Sequence, residues 1–339
     1  MAEKILYILG AGASAQALPI ARSVGAENEF LKPKIPGLAY SLTEVDLKAL
    51  FSEVVTPTYP EKVTRMKQQF IELSEKANAF GDVDTYAKFL LLKGMMEEFQ
   101  SLKKTLSQFF SVKQLIAKVR DQRYLPWMIN IMNRSRFPEN VKILSWNYDF
   151  QVELATEHFG QLEDINLGGT SFSYSPSFIK HYPNLDPTFS EFHELSLLHL
   201  NGIAGYFRND LLDVGSVFQN KAKTSQEKLL DFMEAKNIDN TIRFAWEGDN
   251  NHSKLLERVN VMIEGTSILV VIGYSFPFFN REVDKKIFDK LKLSTSFKKI
   301  YYQDPVLNGQ QLRDQFELSL ELHIIHISQT NNFHVPFEY

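Results

Sequence analysis

The 339-residue chain contains no cysteine. This excludes disulfides, thiol catalysis and every zinc site that uses a cysteine. Zinc held by histidines and carboxylates survives that argument, but the 8 histidines show no HExxH spacing. His323 and His326 lie in an apolar run that reads as a strand, where a separation of three puts them on opposite sides. No metal is expected. No run of eighteen apolar residues occurs, so no membrane span is expected either. The N-terminus, Met1-Ala2-Glu3-Lys4, lacks the basic, apolar and cleavage regions of a secretory signal, which points to a cytoplasmic location. An excess of positive charge is also missing. Lys and Arg number 37 against 41 Asp and Glu, a net charge of −4. That balance argues against direct nucleic-acid binding. There is no internal repeat and no low-complexity tract.

What is present describes a well-filled interior: 44% hydrophobic residues, including 27 phenylalanines. The length allows a large α/β core with an insertion. Strand-like runs lie at 5–9, 141–144, 195–200, 267–272, 299–302 and 322–327. Helical patterns lie at 15–21, 42–52, 60–79, 84–117, 125–132, 227–234 and 254–264. Within 84–117, Phe89, Leu90, Leu92, Met95 and Met96 are spaced as one helix face. The stretches 23–37 and 168–187 read as loops, and the polar stretch 237–252 as a lid. This alternation implies an α/β, Rossmann-like fold with a mostly parallel sheet and flanking helices. Residues 1–29 together with 136–339 form the expected sheet domain, and 30–135 a helical insertion.

Three separated stretches each follow an apolar run: Gly10-Ala11-Gly12-Ala13-Ser14, Ser145-Trp146-Asn147-Tyr148-Asp149 and Gly273-Tyr274-Ser275-Phe276-Pro277. In an open parallel sheet such stretches line the ligand crevice beyond the strands' carboxyl ends. Gly10-x-Gly12-x-x-Ala15 fits the dinucleotide fingerprint, in which glycines allow a tight turn and close backbone approach to a pyrophosphate. The acidic residue that normally follows would be Glu27 or Glu29, and neither ends a second strand, which counts against an ordinary dehydrogenase. Asn147 and Asp149 can share one side of a strand end and address a water, a ribose hydroxyl or a carboxamide. They can equally form an Asx turn capping the helix that begins near Phe150. Trp146 can stack on nicotinamide or lie in the core. Arg281, Glu282 and Asp284 read either as a solvated helix start or as ribose contacts. The Lys and Arg residues between Lys62 and Arg123, interleaved with Glu and Asp, read as helix surface.

Taken together, these motifs resemble sirtuins, and more closely the sirtuin-like domains of bacterial antiphage defence. Gly10 to Ser14 resembles the GAGxS loop, and Ser145 to Asp149 the T-x-N-x-D stretch. Leu198-His199-Leu200-Asn201-Gly202 resembles the region around the family His-Gly. Gly273 to Pro277, with Asn280 to Asp284, resembles the C-terminal GxS region. Tyr301-Tyr302-Gln303-Asp304 takes the place of a late strand end that contacts adenosine. The zinc module of the family's deacetylases needs four cysteines and has no counterpart here.

The resemblance implies an NAD hydrolase that releases nicotinamide and ADP-ribose, with NAD as substrate and no metal. Asn147 would orient water or ribose, and Asp149 would hold nicotinamide. His199 or Asn201 would activate a hydroxyl, since Asn201 stands where the family has its histidine. Gly10, Ala11, Gly12, Ala13, Ser14, Gly273 and Ser275 would hold the phosphates, and Gln303 and Asp304 the adenosine side. A reaction that destroys NAD needs control, so a homo-oligomer or a separately encoded sensor protein is an expected partner. The alternatives are a sensor that binds NAD or ADP-ribose without cleaving it, and an ADP-ribosyl transferase.

Overall fold

Short apolar runs become strands with both faces covered. In the computed structural model, β1 (Ile5–Leu9), β2 (Val141–Ser145) and β8 (Ile268–Ile272) are buried at every position. They join β3 (Ile179–Lys180), β4 (Leu197–His199), β9 (Lys299–Gln303) and β10 (His323–Ile327) in one seven-stranded sheet. Its order is β10-β9-β8-β1-β2-β4-β3, and every neighbouring pair is parallel. The fold is α/β and Rossmann-like. The structure describes residues 3–20, 37–52, 59–131, 138–155, 179–180, 197–208, 214–216, 224, 226–227, 229–230, 239–240, 242–247, 250–306 and 309–339.

Strand periodicity divides the apolar side chains between two faces. Leu6, Ile8, Leu144, Leu198, Leu269, Val271, Ile300 and Tyr302 pack against three helices, Asn250–Ile263, Arg281–Lys292 and Gly309–Phe316. Ile5, Tyr7, Leu9, Val141, Ile143, Val270 and Ile272 pack on the other face, with Trp127 and Met128 of helix Tyr124–Ile131. Burying one such side chain fully contributes about 1.5–3 kcal/mol. The two-sided cover therefore explains why these strands read as continuous apolar runs rather than alternating ones.

The chain divides into two compact units. One comprises 1–13, 121–202 and 244–339, and carries the parallel sheet; the other comprises 14–120 and 203–243. The second unit contains helices Leu38–Thr43, Leu47–Leu50, Tyr59–Phe80, Val83–Leu92 and Met96–Ser111. It also contains a small antiparallel sheet of β5 (Tyr206–Arg208), β6 (Val214–Ser216) and β7 (Asp239–Asn240). This division differs from the one read in the sequence. Helix Tyr124–Ile131 goes with the sheet because Tyr124, Trp127, Met128 and Ile131 fill its face. Residues 203–243, and 14–29 at the other end, go with the helical unit.

Three local expectations are corrected. No continuous helix spans 84–117. It breaks after Leu92, where Gly94 adopts φ +69°. Leu92, Met95 and Met96 therefore lie exposed at a hairpin tip instead of on a buried face. The expected 42–52 helix is two short ones, with the Ala49 N–H donating to the Asp46 carboxylate that caps the second. Of the expected helix start at 15–21, the described residues 15–20 form no helix after the glycine loop; the loop is itself a 3-10 turn, Ala11–Ser14, and residues 15–17 continue as turn. The expected loops 23–37 and 168–187 and helix 227–234 fall largely outside the described residues. Of the expected lid, residues 239–240 form β7 and 250–252 already belong to a helix. Among the described residues no helix is long and apolar enough to cross a membrane.

Candidate functional site at the carboxyl edge of the sheet

The parallel register aligns the strand ends. His199 pairs with Ser145, Ser145 with Leu9, Leu9 with Ile272, Ile272 with Gln303, and Gln303 with Ile327. One row of the sheet thus ends six strands of the sheet unit beside each other. The stretches beginning at Gly10, Trp146, Leu200, Gly273 and Asp304 all leave from this edge. The sequence reading placed these stretches at strand ends, and the register makes them neighbours.

The glycine loop is fixed by protein backbone. The N–H groups of Gly10, Gly12 and Ala13 donate to the carbonyls of Ile272, Gly273 and Gly10, at 3.0, 2.9 and 2.8 Å. A Cβ on Gly12 would stand 2.8 Å from the Gly273 Cα, and one on Gly10 would stand 2.6 Å from the Gly273 carbonyl oxygen. Gly273 has φ +57°, and a side chain there would lie 2.4 Å from the Ala13 nitrogen. The close approach that these glycines permit is therefore between two turns of the protein. Ala11 is exposed, Gly12 and Gly273 are half-buried, and Ser14 is buried. Ser275 is exposed.

A residue that the sequence reading passed over holds this loop from behind. Arg123 is buried, not helix surface. Its guanidinium donates to the Ala13 carbonyl at 2.9 Å and to the Gly12 carbonyl at 3.2 Å, and it pairs with Asp121 at 2.6 Å. The Asp121 N–H donates to the Gln151 side chain at 2.8 Å, and the Gln151 N–H donates to Asp149 Oδ1 at 3.0 Å. A buried chain of hydrogen bonds thus runs from the glycine loop to Asp149. No residue spacing announced it. The only signal was an Asp-x-Arg pair just ahead of an apolar helix.

Asp149 forms the Asx cap that was one of its two readings, and it is 5% exposed. Asn147 is 6% exposed. Its N–H donates to Ser145 Oγ at 3.2 Å, and its carbonyl lies 3.1 Å from His199 Nδ1. His199 Nε2 lies 2.7 Å from Glu153 Oε1, also buried. Both ring nitrogens are occupied by protein. The role of His199 as an activator of a hydroxyl is therefore not provided by this arrangement. Burial alone pulls the imidazole down, but the Glu153 carboxylate, the Asn147 carbonyl and the charge of Asp149 outweigh it, and the net direction is up. Asn201 donates from Nδ2 to the Trp146 carbonyl at 3.1 Å, while its Oδ1 is buried without a hydrogen-bond partner among the described residues.

Gln303 is engaged elsewhere. Its amide donates to the Gln329 and Asn332 carbonyls at 2.6 and 2.7 Å and accepts from the His334 N–H at 3.0 Å. It braces the C-terminal segment, which removes the basis for an adenosine contact. Asp304 Oδ1 accepts from the Val306 N–H in a turn. Trp146 is core, stacked on Tyr274 with centroids 5.8 Å apart. Arg281 and Glu282 are exposed, and Glu282 pairs with Lys286. Asp284 is not part of that solvated start. It is buried and accepts from the Tyr274 hydroxyl at 2.7 Å, and that hydroxyl accepts from Asn280 Nδ2 at 3.0 Å. Burial pushes the Asp284 carboxyl well up; the Tyr274 hydroxyl and, outside hydrogen-bonding geometry, the Trp146 indole N–H only partly oppose it.

The same edge carries aromatic rings that are not fully buried. Tyr148 meets Phe244 edge to face at 6.2 Å, Phe244 stacks on Trp246 at 4.9 Å, and Trp246 meets Phe279 at 6.4 Å. Tyr148, Trp246 and Phe279 are half-buried. Among the described residues no cluster of His, Asp and Glu suited to a metal occurs. Comparison with protein-family models and with curated proteins finds no match to this chain.

Proposed function

We propose that this chain is an NAD hydrolase, cleaving the bond between nicotinamide and ribose with water as acceptor. The observation that carries the reading is the aligned row of strand ends, which brings the glycine loop, Asn147, Asn201 and Gly273 to neighbouring positions on one sheet edge. Ligands of open α/β sheets bind beyond that edge. The nicotinamide leaving group is already cationic. The protein need only orient the substrate, stabilise oxocarbenium-like charge and place a water.

Residue roles follow from the position and chemistry of each group. Asn201 Oδ1, a buried acceptor without a partner among the described residues, is suited to a hydroxyl of the ribose or the attacking water. Asn147 follows the end of the neighbouring strand β2 and would supply a second amide. Asp149, held by the Gln151 N–H, supplies negative charge near the developing cation. Ala11 is exposed at the start of the loop turn, and its amide is suited to a phosphate, with exposed Ser275 beside the Gly273 turn. Asn147 and Asn201 are both nearly inaccessible. A substrate reaches them only after neighbouring groups move, which suits an enzyme whose constant activity would exhaust NAD. We therefore expect low activity from the isolated chain and activation by assembly or by a separately encoded sensor protein. The role in antiphage defence rests on the resemblance to sirtuin-like defence domains.

The second reading is an NAD or ADP-ribose sensor. It is favoured by one observation: both ring nitrogens of His199 meet protein groups, and Asn201 stands where the resembled family has its histidine.

Tryptophan fluorescence tests binding at this edge. Trp127 and Trp146 are 2% and 4% exposed, whereas Trp246 is half-buried among partly exposed rings. Stacking of a nicotinamide or adenine ring on that wall should quench emission in the wild type and leave Trp246→Phe unchanged. Binding by calorimetry with no quenching would remove the aromatic wall from the site. No binding at all would remove both readings.

A further inference from the structure

We propose that Glu153 and His199 form a buried positioning pair that fixes the Asn147 main chain, and that His199 performs no acid–base step. The inference rests on the NAD hydrolase reading for its consequence but on geometry for its content. The Asn147 carbonyl can only accept, so His199 Nδ1 must carry a proton to meet it at 3.1 Å. Nε2 faces Glu153 Oε1 at 2.7 Å, and an ionised carboxylate likewise requires an N–H there. The ring is then a doubly protonated imidazolium, 1% exposed, with no lone pair for a substrate proton. Glu153 comes from the helical residues 151–155, and His199 ends β4. The pair thus ties the Asn147 turn to two elements.

The charged groups acting on the ring are Glu153 and Asp149, both negative, and with the Asn147 carbonyl they favour the imidazolium against its burial. Because the folded value lies above the unfolded one, the pair stabilises fully below about pH 6.5. That stabilisation is lost as pH rises through the folded value. The position of Asn147 should loosen over the same window.

The test compares His199→Ala with the double variant His199→Asn, Glu153→Gln. An asparagine at 199 can place Nδ2–H where the imidazole Nδ1–H was, and glutamine at 153 avoids a buried unpaired charge. The single variant is expected to lose at least about 100-fold in nicotinamide release. The double variant should stay within about tenfold of wild type and lose the decline at high pH. A general base contributes about 10²–10⁴-fold, so a loss of that size in a folded double variant would overturn the proposal. A second readout needs no activity. In protein labelled with 15N-histidine and 13C-carbonyl asparagine, both His199 nitrogens should be protonated below about pH 6.5, and the Asn147 carbonyl signal should follow the His199 titration. A singly protonated ring, or an Asn147 signal indifferent to it, would refute the pair even if the chain proved not to cleave NAD.

Discussion

Asn147→Ala is expected to lower nicotinamide release by about 10²–10³-fold, the usual cost of removing one oriented polar group from a site of this kind. The fold should survive. Two contacts of residue 147 use its main chain: the N–H on Ser145 Oγ and the carbonyl on His199. Alanine keeps both. Thermal melting and nicotinamide release, measured on the same preparation, separate the two effects. Equal turnover by wild type and variant would exclude Asn147 from the chemistry. A large loss of melting temperature would make it a structural residue.

Arg123→Ala should cost about 3–5 kcal/mol of stability, because it leaves the Asp121 carboxylate buried without its cation. The guanidinium also donates to the Gly12, Ala13 and Thr330 carbonyls and covers the Phe333 ring at 4.8 Å. Lysine cannot reproduce that fork of donors, so Arg123→Lys should recover only part of the loss. Urea denaturation gives the number. A change below about 1 kcal/mol, the level of an exposed ion pair, would mean that the glycine loop is held by its glycines alone. Those glycines face the backbone of the other turn. A bulky residue at position 12 therefore strains the fold before it can report on phosphate binding.

The sheet was legible because burial on both faces leaves a plain mark: short apolar runs, each ended by glycine or polar residues. All six expected strands formed within a few residues of their expected limits. The convergence of the motifs was legible for the same reason, since parallel strands of similar length end together. The roles of individual side chains were less so. Sequence gives no sign that the Gly12 N–H meets Gly273 rather than a phosphate, because both require the same missing Cβ. Gln303 looked available at a strand end, but the segment that consumes its amide lies 26 to 31 residues later. Arg123 was hidden differently. A charged residue in a run of charged residues reads as solvent-facing, and only the packed fold shows that it turns inward. His199 was visible as a candidate, but its saturation depends on Glu153, a helical residue that no spacing rule connects to β4.

The most direct measurement is nicotinamide release from NAD at enzyme concentrations comparable to substrate, with long incubation so that a slow, unactivated chain still registers. Chromatography should show nicotinamide and ADP-ribose appearing in equal amounts with wild type and not with Asn147→Ala. NAD that binds by calorimetry yet is recovered intact, with the isolated chain and with an added partner alike, would contradict hydrolysis and leave a sensor of NAD.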